Sequence, residues 1–214
     1  PGQKFTKLGL PSSLFSLSGL EFYGSVNCLK GGIIFSDAVS TVSPTYAQEI
    51  MTAEYGCGLE GVLASRADGV KGITNGIDID AWNPESDSYL PAQYTAADLS
   101  GKRACKRALQ RELELPNRDV PLLAVIGRLT FQKGFDLLID VIPELMSLDI
   151  QTVVLGTGDH HLEQQFIAAQ ARYPDRIGLC LGFNEGMAHR IEAGADMLIM
   201  PSRYEPCGLS QLYS

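Results

Sequence analysis

The stretch from residue 121 to residue 140 reads PLLAVIGRLTFQKGFDLLID and contains the repeating pattern of the fold. A short apolar run, Leu122–Ile126, is followed by a polar loop and then by apolar residues at helical spacing. The alternation continues, with further strands predicted at Thr152–Leu155, Ile177–Leu181 and Met197–Met200 and helices at Phe135–Leu148, His160–Tyr173 and Gly186–Gly194. This pattern predicts right-handed βαβ crossovers and a parallel sheet covered by helices on both faces.

The first third of the chain has weaker signals. Ser43 followed by Pro44 is a helix-start signal, because serine caps a helix N-terminus and proline fits its first turn. The other elements predicted before residue 121 are strands at Asp37–Val42 and Val70–Thr74, a helix at Tyr46–Met51, an extended connection at Trp82–Ser100 and a helix at Gly101–Glu114. The extended connection, rich in Pro, Ser, Asp and Tyr, predicts that the chain passes between two lobes.

Charge and cysteine content exclude several classes of protein. The 214 residues carry 17 Lys and Arg against 25 Asp and Glu, a net charge of −8, which disfavours nucleic acid as a partner. No apolar run approaches the roughly 20 residues that span a bilayer, so no membrane partner is expected. The five scattered cysteines lack a C-x-x-C pair, which predicts reduced thiols that are buried as small hydrophobic residues, Cys207 excepted.

Two basic residues follow the first regular strand, at the edge where ligands gather in a parallel sheet. Arg128 lies immediately after the strand, and Lys133 is predicted at the start of the following helix. Two cations and a helix N-terminus favour an anion such as a diphosphate, with each charge-assisted hydrogen bond contributing about 1.5 to 3 kcal/mol. The alternative is a solvated loop whose lysine opposes the helix dipole at a small cost.

Two later loops carry further candidates. Gly156 and Thr157 follow the second strand, where glycine lets a ligand approach the backbone, although a tight turn with Asp159 as helix N-cap explains the pattern equally well. The last loop contains Glu205 and Cys207, and a new helix is predicted to begin directly after them. Glu205 is suited to hydrogen-bond sugar hydroxyls or to face a developing positive charge, and the Gly208 and Leu209 amides to cap a phosphate. The alternative is that Glu205 only caps its own helix.

The histidines do not indicate a metal site. His160, His161 and His189 lack the spacing to Cys, Asp, Glu or other His that zinc requires, and we interpret all three as surface or structural residues. There is also no G-x-G-x-x-G pattern for a nicotinamide cofactor and no G-x-S-x-G elbow for a serine nucleophile. No metal and no cofactor are therefore predicted.

Taken together, these motifs resemble the family of bacterial glycogen synthases and plant starch synthases, which are retaining glucosyltransferases. The similarity is carried by Gly19–Gly24, Thr41–Tyr46, Gly72–Asp78, Trp82–Pro84, Arg128–Thr130, Gln132–Gly134, Leu155–Gly158, Ala193–Asp196, Pro201–Arg203 and Glu205–Leu209. The last segment and the Arg/Lys pair are highly specific in combination, whereas the glycine-rich turns are not.

The resemblance implies an α/β fold of the GT-B type, with two Rossmann-like domains facing a cleft. Residues 1–75 would form the end of the N-terminal, acceptor-side domain, and residues 76–214 most of the C-terminal, nucleotide-sugar-binding domain. The implied reaction moves glucose from ADP-glucose, or UDP-glucose in some relatives, to the non-reducing end of an α-1,4-glucan with retention and without a metal. The implied location is the bacterial cytoplasm, or the plastid for a plant or algal protein.

The resemblance also implies roles for individual residues. Arg128 and Lys133 would neutralise the leaving diphosphate, and Glu205 would hold the transferred glucose; these are the catalytic candidates. The substrate-binding candidates are Asn75, Gly156, Thr157, Cys207, Gly208 and Leu209. Of these, residues 207–209 would line the sugar and phosphate pocket, and Asn75 would reach the sugar from the cleft side.

Several family features are absent from the sequence, among them the continuation of the final helix and the Gly-Thr loop that follows it, which would lie beyond Ser214. The family's Lys-x-Gly-Gly-Leu loop and a cleft histidine both precede the point where the chain starts, at Pro1. We therefore expect an internal fragment that is inactive alone, because positioning and electrostatic stabilisation come from both lobes. Two alternatives stay open at this point: a sugar-nucleotide epimerase on the same scaffold, and a non-catalytic module that binds a nucleotide or a glucan.

Overall fold

The computed structural model describes Phe5 and residues 7–214, and these divide into two units between Asn75 and Gly76. The elements of the first unit are a 3₁₀ turn at Ser12–Leu14, strands β1 (Glu21–Phe22) and β2 (Ser25–Val26), helix α1 (Cys28–Phe35), strand β3 (Val39–Thr41), helices α2 (Pro44–Glu49) and α3 (Glu60–Ala64), and strand β4 (Val70–Gly72). Strands β3 and β4 pair in parallel, in the two places where the sequence predicts strands.

Local backbone chemistry explains one helix start and one turn in this unit. Ser43 caps α2 as predicted, since its Oγ accepts a hydrogen bond from the backbone N–H of Tyr46 at 3.0 Å. The β1–β2 hairpin was not predicted, because its two-residue turn has left-handed backbone at both Tyr23 (φ 47°) and Gly24 (φ 75°). Tyrosine seldom adopts that conformation, so its presence hides the hairpin signal.

The second unit contains the regular βα pattern. Its elements are helix α4 (Ser100–Glu112), strand β5 (Leu122–Ile126), a 3₁₀ turn at Phe131–Lys133, helices α5 (Phe135–Asp140) and α6 (Ile142–Leu145), strand β6 (Gln151–Gly156), helix α7 (His160–Arg172), strand β7 (Ile177–Leu181), helix α8 (Glu185–Gly194), strand β8 (Met197–Leu198) and helix α9 (Leu209–Tyr213). The four strands are all parallel, in the order β7-β6-β5-β8, which confirms the predicted parallel sheet.

Both faces of this sheet are covered by helices, as predicted. Successive residues of a strand point to opposite faces, and β5 shows this directly. Leu123 and Val125 pack in one buried cluster with residues of α5, α6 and α7, whereas Leu122 and Ala124 pack in another with residues of α4 and α8. This burial on two sides is why the strands are continuous apolar runs in the sequence.

The single helix predicted at Phe135–Leu148 is wrong, because the structure contains two shorter helices that break at Val141. Pro143 lies in the first turn of α6, where it has no N–H to lose. In a continuous helix its ring would clash with the carbonyl of Ile139. Strand β8 also ends at Leu198, two residues before the predicted end.

The cysteine prediction is partly wrong. All five cysteines are free, but only Cys105 is buried, and Cys28 and Cys57 are exposed. Cys28 is the first residue of α1, and Cys57 lies in a turn with left-handed backbone (φ 52°). Neither position faces the interior. Among the histidines, His160 and His161 are exposed and His189 is buried, as a surface or structural role requires.

Candidate functional site

An open cleft of about 360 Å³ lies where the carboxyl ends of β5, β6 and β7 meet. Its walls include Arg128 from the loop after β5, Gly156 and Thr157 from the end of β6 and Phe183 from the loop after β7. Arg128 is exposed, and within residues 5 and 7–214 its guanidinium has no side-chain hydrogen bond or ion pair. An unpaired cation at this edge of a parallel sheet is available to an anionic ligand.

The loops after β5 and β6 are joined backbone to backbone. The N–H of Leu129 donates to the carbonyl of Thr157 at 3.0 Å, and the N–H of Asp159 donates to the carbonyl of Leu129 at 2.7 Å. A Cβ atom at Gly156 would lie 2.0 Å from the carbonyl oxygen of Gly127. Glycine at position 156 is therefore required by loop packing, whatever ligand binds nearby.

The turn explanation for this segment is confirmed, since Asp159 caps α7 by accepting a hydrogen bond from the N–H of His161 at 2.8 Å. The Thr157 hydroxyl donates to Glu163 at 2.6 Å and thereby lowers the pKa of that carboxyl. Gly156 and Thr157 nevertheless line the cleft. Their ligand-binding role stays a prediction.

Lys133 and Glu205 form the second feature of the site. The Lys133 ammonium donates to Glu205 Oε2 at 2.6 Å, and the Ser202 hydroxyl lies 3.0 Å from the same oxygen. The two charged side chains are only 21% and 20% exposed, so the pair is better shielded from water than a surface ion pair. Within the described part of the chain Glu205 Oε1 has no hydrogen-bond partner, which leaves it available to a ligand hydroxyl.

Lys133 does not begin the following helix, and that prediction is wrong. It ends the 3₁₀ turn, and Gly134 then adopts left-handed backbone (φ 68°) before α5 starts at Phe135. A Cβ at position 134 would lie 2.0 Å from the carbonyl oxygen of Pro201. Glycine therefore provides both the turn and the close approach that brings Lys133 to the last loop.

Arg203 joins the same two loops through its guanidinium. It donates two hydrogen bonds of 2.7 Å to the Asp136 carboxylate and a third of 2.7 Å to the carbonyl of Phe131. Its guanidinium carbon also lies 3.6 Å from the centre of the Phe131 ring. This bidentate contact of the planar guanidinium fixes the geometry of the loop that carries Glu205.

We expect the Arg203→Gln substitution to raise the pKa of Asp136. In the folded chain the Arg203 hydrogen bonds hold the pKa of this carboxyl below its usual value. The stabilisation it provides is therefore complete above the ordinary pKa of about 4 and is lost as the pH falls through the lower, folded value. An NMR titration of the Asp136 carboxyl carbon measures this shift. An unchanged pKa in the variant would show that Arg203 does not hold this carboxylate.

The remaining loop candidates lie around Gly208. The alternative that Glu205 caps its own helix is wrong, since the N-cap of α9 is Gly208 and no side chain caps it. Gly208 is buried with left-handed backbone (φ 80°), and a Cβ there would lie 3.5 Å from Glu205 Cγ. Cys207 and Leu209 are half-buried on either side of it, and Asn75 is the exposed last residue of the first unit. Their binding roles stay predictions.

Three aromatic residues of the cleft are not among the site residues predicted from the sequence. Trp82, Phe183 and Tyr213 all line it, and Phe183 is 92% exposed. The position of Phe183 in the loop after β7 was the available signal, because that loop was expected to reach the ligand edge of the sheet. Trp82 and Tyr213 are brought to the cleft only by tertiary packing.

Other features of the described residues bear on ligands and membranes. Nowhere in residues 5 and 7–214 do three His, Cys, Asp or Glu side chains group so that they could hold a metal ion. In the same part of the chain no helix combines the length and the apolar character needed to cross a membrane.

Comparison with known proteins identifies the family. The model described as "Starch synthase catalytic domain" matches residues 1–65, and the one described as "Glycosyl transferases group 1" matches residues 106–212. The curated glycogen synthase of Anaeromyxobacter sp. (strain Fw109-5) is 56% identical over 208 residues, which cover 97% of this chain and 44% of that protein. The glycogen synthase of Myxococcus xanthus (strain DK1622) is 50% identical with the same coverage. The chain thus spans less than half the length of these relatives.

Solved structures agree with this result. The catalytic domain of starch synthase IV from Arabidopsis thaliana, bound to ADP and acarbose, matches with a TM-score of 0.90 and 41% identity, over 96% of this chain and 43% of that one. HepE from Anabaena, in complex with UDP and glucose, shares the fold at 16% identity and a TM-score of 0.58, over 87% and 44% of the two chains. These matches confirm the predicted α/β fold class of the GT-B type. The chain belongs to the group 1 glycosyltransferases and, among them, to the glycogen and starch synthase family.

Proposed function

We propose that the chain is the donor-binding part of a retaining glucosyltransferase that moves glucose from ADP-glucose to the non-reducing end of an α-1,4-glucan. Residues 76–214 would be most of its C-terminal, nucleotide-sugar-binding domain, and residues 1–75 the end of its N-terminal domain. The observation that carries the proposal is the shielded pair of Lys133 and Glu205, which joins the last loop to the loop that also places the unpaired Arg128 in the cleft. The bacterial sources of the curated relatives support a cytoplasmic location.

The chemistry of the transfer assigns a task to each charged group. When the bond between glucose and the diphosphate breaks, negative charge develops on the leaving phosphate, and Arg128 and Lys133 would stabilise it. Because the fold already holds the Lys133 ammonium in place, little reorganisation is needed as this charge forms. Glu205 Oε1 would accept hydrogen bonds from the glucose hydroxyls, and its negative charge would also favour the positive charge that develops on the sugar ring.

Phe183 and Arg128 should bind different parts of the donor. An exposed ring at the cleft edge offers a stacking surface to the base, whereas the guanidinium offers hydrogen bonds to the diphosphate. We expect Phe183→Ala to weaken ADP binding by about 5- to 150-fold, since stacking on an aromatic side chain contributes about 1 to 3 kcal/mol per base. Calorimetry of this variant should show unchanged pyrophosphate binding.

The matched variant Arg128→Ala should weaken the binding of both ADP and pyrophosphate. Because Phe183 is almost fully exposed, its replacement is not expected to disturb folding. Equal losses of affinity for ADP and for pyrophosphate in the Phe183→Ala chain would contradict the assignment of this ring to the base.

The transfer itself is tested in a complete enzyme. This chain replaces the matching region of the Anaeromyxobacter sp. glycogen synthase, to which it is 56% identical, and the chimera is incubated with ADP-glucose and glycogen. We expect glucose to be incorporated into glycogen, with ADP as the second product. Isomerised sugar nucleotide without chain elongation would support an epimerase. Parallel incubation with UDP-glucose measures the donor preference.

A further inference from the structure

Three aromatic rings form a stack next to the cleft, and a fourth, tilted ring packs against it. The His189 ring lies 3.8 Å from the ring centre of Trp82 at an angle of 12°, and Tyr213 lies 4.1 Å from Trp82, also at 12°. Two rings parallel to one indole at these distances must occupy its opposite faces. The Tyr89 ring contacts His189 at a centroid distance of 4.8 Å and is tilted by 44°. Trp82 is therefore clamped between His189 and Tyr213.

His189 is the fixed member of this stack. It lies in α8 and is only 3% exposed, and its Nδ1 is 2.6 Å from the Asp87 carboxylate, which is also buried. The backbone N–H of Tyr89 donates to the other oxygen of that carboxylate at 2.8 Å. The imidazole is thus held from two directions, by its own helix and by the Asp87 carboxylate of the extended connection, Trp82–Ser100.

The stack separates two cavities. Trp82 and Tyr213 line the cleft that contains Arg128, and they also line a second cavity of about 380 Å³, whose wall includes His189 and Asp87. His189 itself does not line the cleft with Arg128. The His189 ring therefore acts on a ligand in that cleft only indirectly, and Trp82 is the cleft-lining side chain on which it stacks.

We propose that His189 is a positioning residue for the donor site, which holds Trp82 in the wall of the nucleotide cleft through ring stacking while Asp87 fixes the imidazole. This inference rests on the proposed function, since it takes the cleft to be the ADP-glucose site. A preorganised wall lowers the ordering cost of binding, so release of Trp82 should weaken the nucleotide without removing any direct contact to it.

Trp82 provides the readout, because it is the single tryptophan of the chain. The variants are His189→Asn, whose side-chain amide keeps a donor for the buried Asp87 carboxylate but removes the stacked ring, and His189→Ala, which removes both. His161→Ala is the matched control, since this histidine is exposed on α7. Each variant is measured by acrylamide quenching of tryptophan fluorescence, by urea unfolding and by calorimetry with ADP.

For His189→Asn we expect a urea midpoint near that of the unsubstituted chain, higher accessibility of Trp82 to acrylamide and a Kd for ADP about tenfold higher. His189→Ala should show the same two changes together with a lower urea midpoint, because it leaves the Asp87 carboxylate buried without its partner. His161→Ala should match the unsubstituted chain in all three measurements.

Unchanged quenching of Trp82 in His189→Asn would overturn the proposal, because the ring would then not depend on His189 for its position. Increased quenching with unchanged ADP affinity would also overturn it, since the wall would then have no role in nucleotide binding. Failure of the unsubstituted chain to bind ADP would instead contradict the proposed function. In that case the quenching data still decide whether His189 positions Trp82.

Discussion

The Glu205→Gln substitution is expected to slow glucose transfer by about 10²- to 10³-fold, the range found when a group that stabilises developing charge is removed. Glutamine keeps the size of the side chain and an oxygen that accepts from Ser202 and Lys133, so the loop should keep its geometry. What is lost is the negative charge. A neutral amide no longer balances the Lys133 ammonium and no longer favours positive charge on the sugar.

The measurement is kcat with ADP-glucose and glycogen in the chimeric synthase described above. Glu144→Gln is the matched control, because that carboxylate is exposed on α6 and forms no ion pair among the described residues. The control should retain the full rate. A Glu205→Gln enzyme that also retains it would exclude this carboxylate from the reaction.

The Lys133→Ala substitution should cause a loss of similar size, since it removes the cation that we assign to the leaving diphosphate. A charge-assisted hydrogen bond contributes about 1.5 to 3 kcal/mol, and more as negative charge develops in a shielded site. The substitution also leaves the Glu205 carboxylate without its partner at 2.6 Å. Arg111→Ala, on the exposed face of α4, is the control for loss of a positive charge.

A double substitution separates two ways in which Lys133 and Glu205 could contribute. Because their charged atoms are in direct contact, the free-energy losses of the single variants should not add. We expect Lys133→Ala with Glu205→Gln to lose clearly less than the sum of the two single losses. Strictly additive losses would indicate that the two residues act independently.

The second unit could be predicted well because its strands are buried on both faces. Leu122–Ile126 and Ile177–Leu181 are continuous apolar runs, and both strands have the predicted bounds. The break between α5 and α6 was missed although Pro143 was visible, because the apolar spacing continues across it. In the first unit, the left-handed backbone at Tyr23 has no signal in the sequence.

The candidate site could be predicted only in part, because its contacts join distant segments. The positions of the motifs predict that Lys133 and Glu205 lie on two loops. Their contact, however, depends on the hydrogen bonds from Arg203 to Asp136 and on the absence of a side chain at Gly134. The stack of Trp82, His189 and Tyr213 joins three separate segments, and its rings are spaced irregularly along the chain. No local pattern reports such packing.

The central claim is that this chain contains the donor-nucleotide site of a glycogen or starch synthase. Calorimetric titration of the chain with ADP tests it directly, alongside the Lys133→Ala and Arg111→Ala variants. We predict a saturable isotherm for the unsubstituted chain, markedly weaker binding for Lys133→Ala and unchanged binding for Arg111→Ala. No binding at about 1 mM ADP, the concentration at which a complex of about −4 kcal/mol is half formed, would contradict the claim. Equal affinities of the Lys133→Ala and unsubstituted chains would contradict the assigned site.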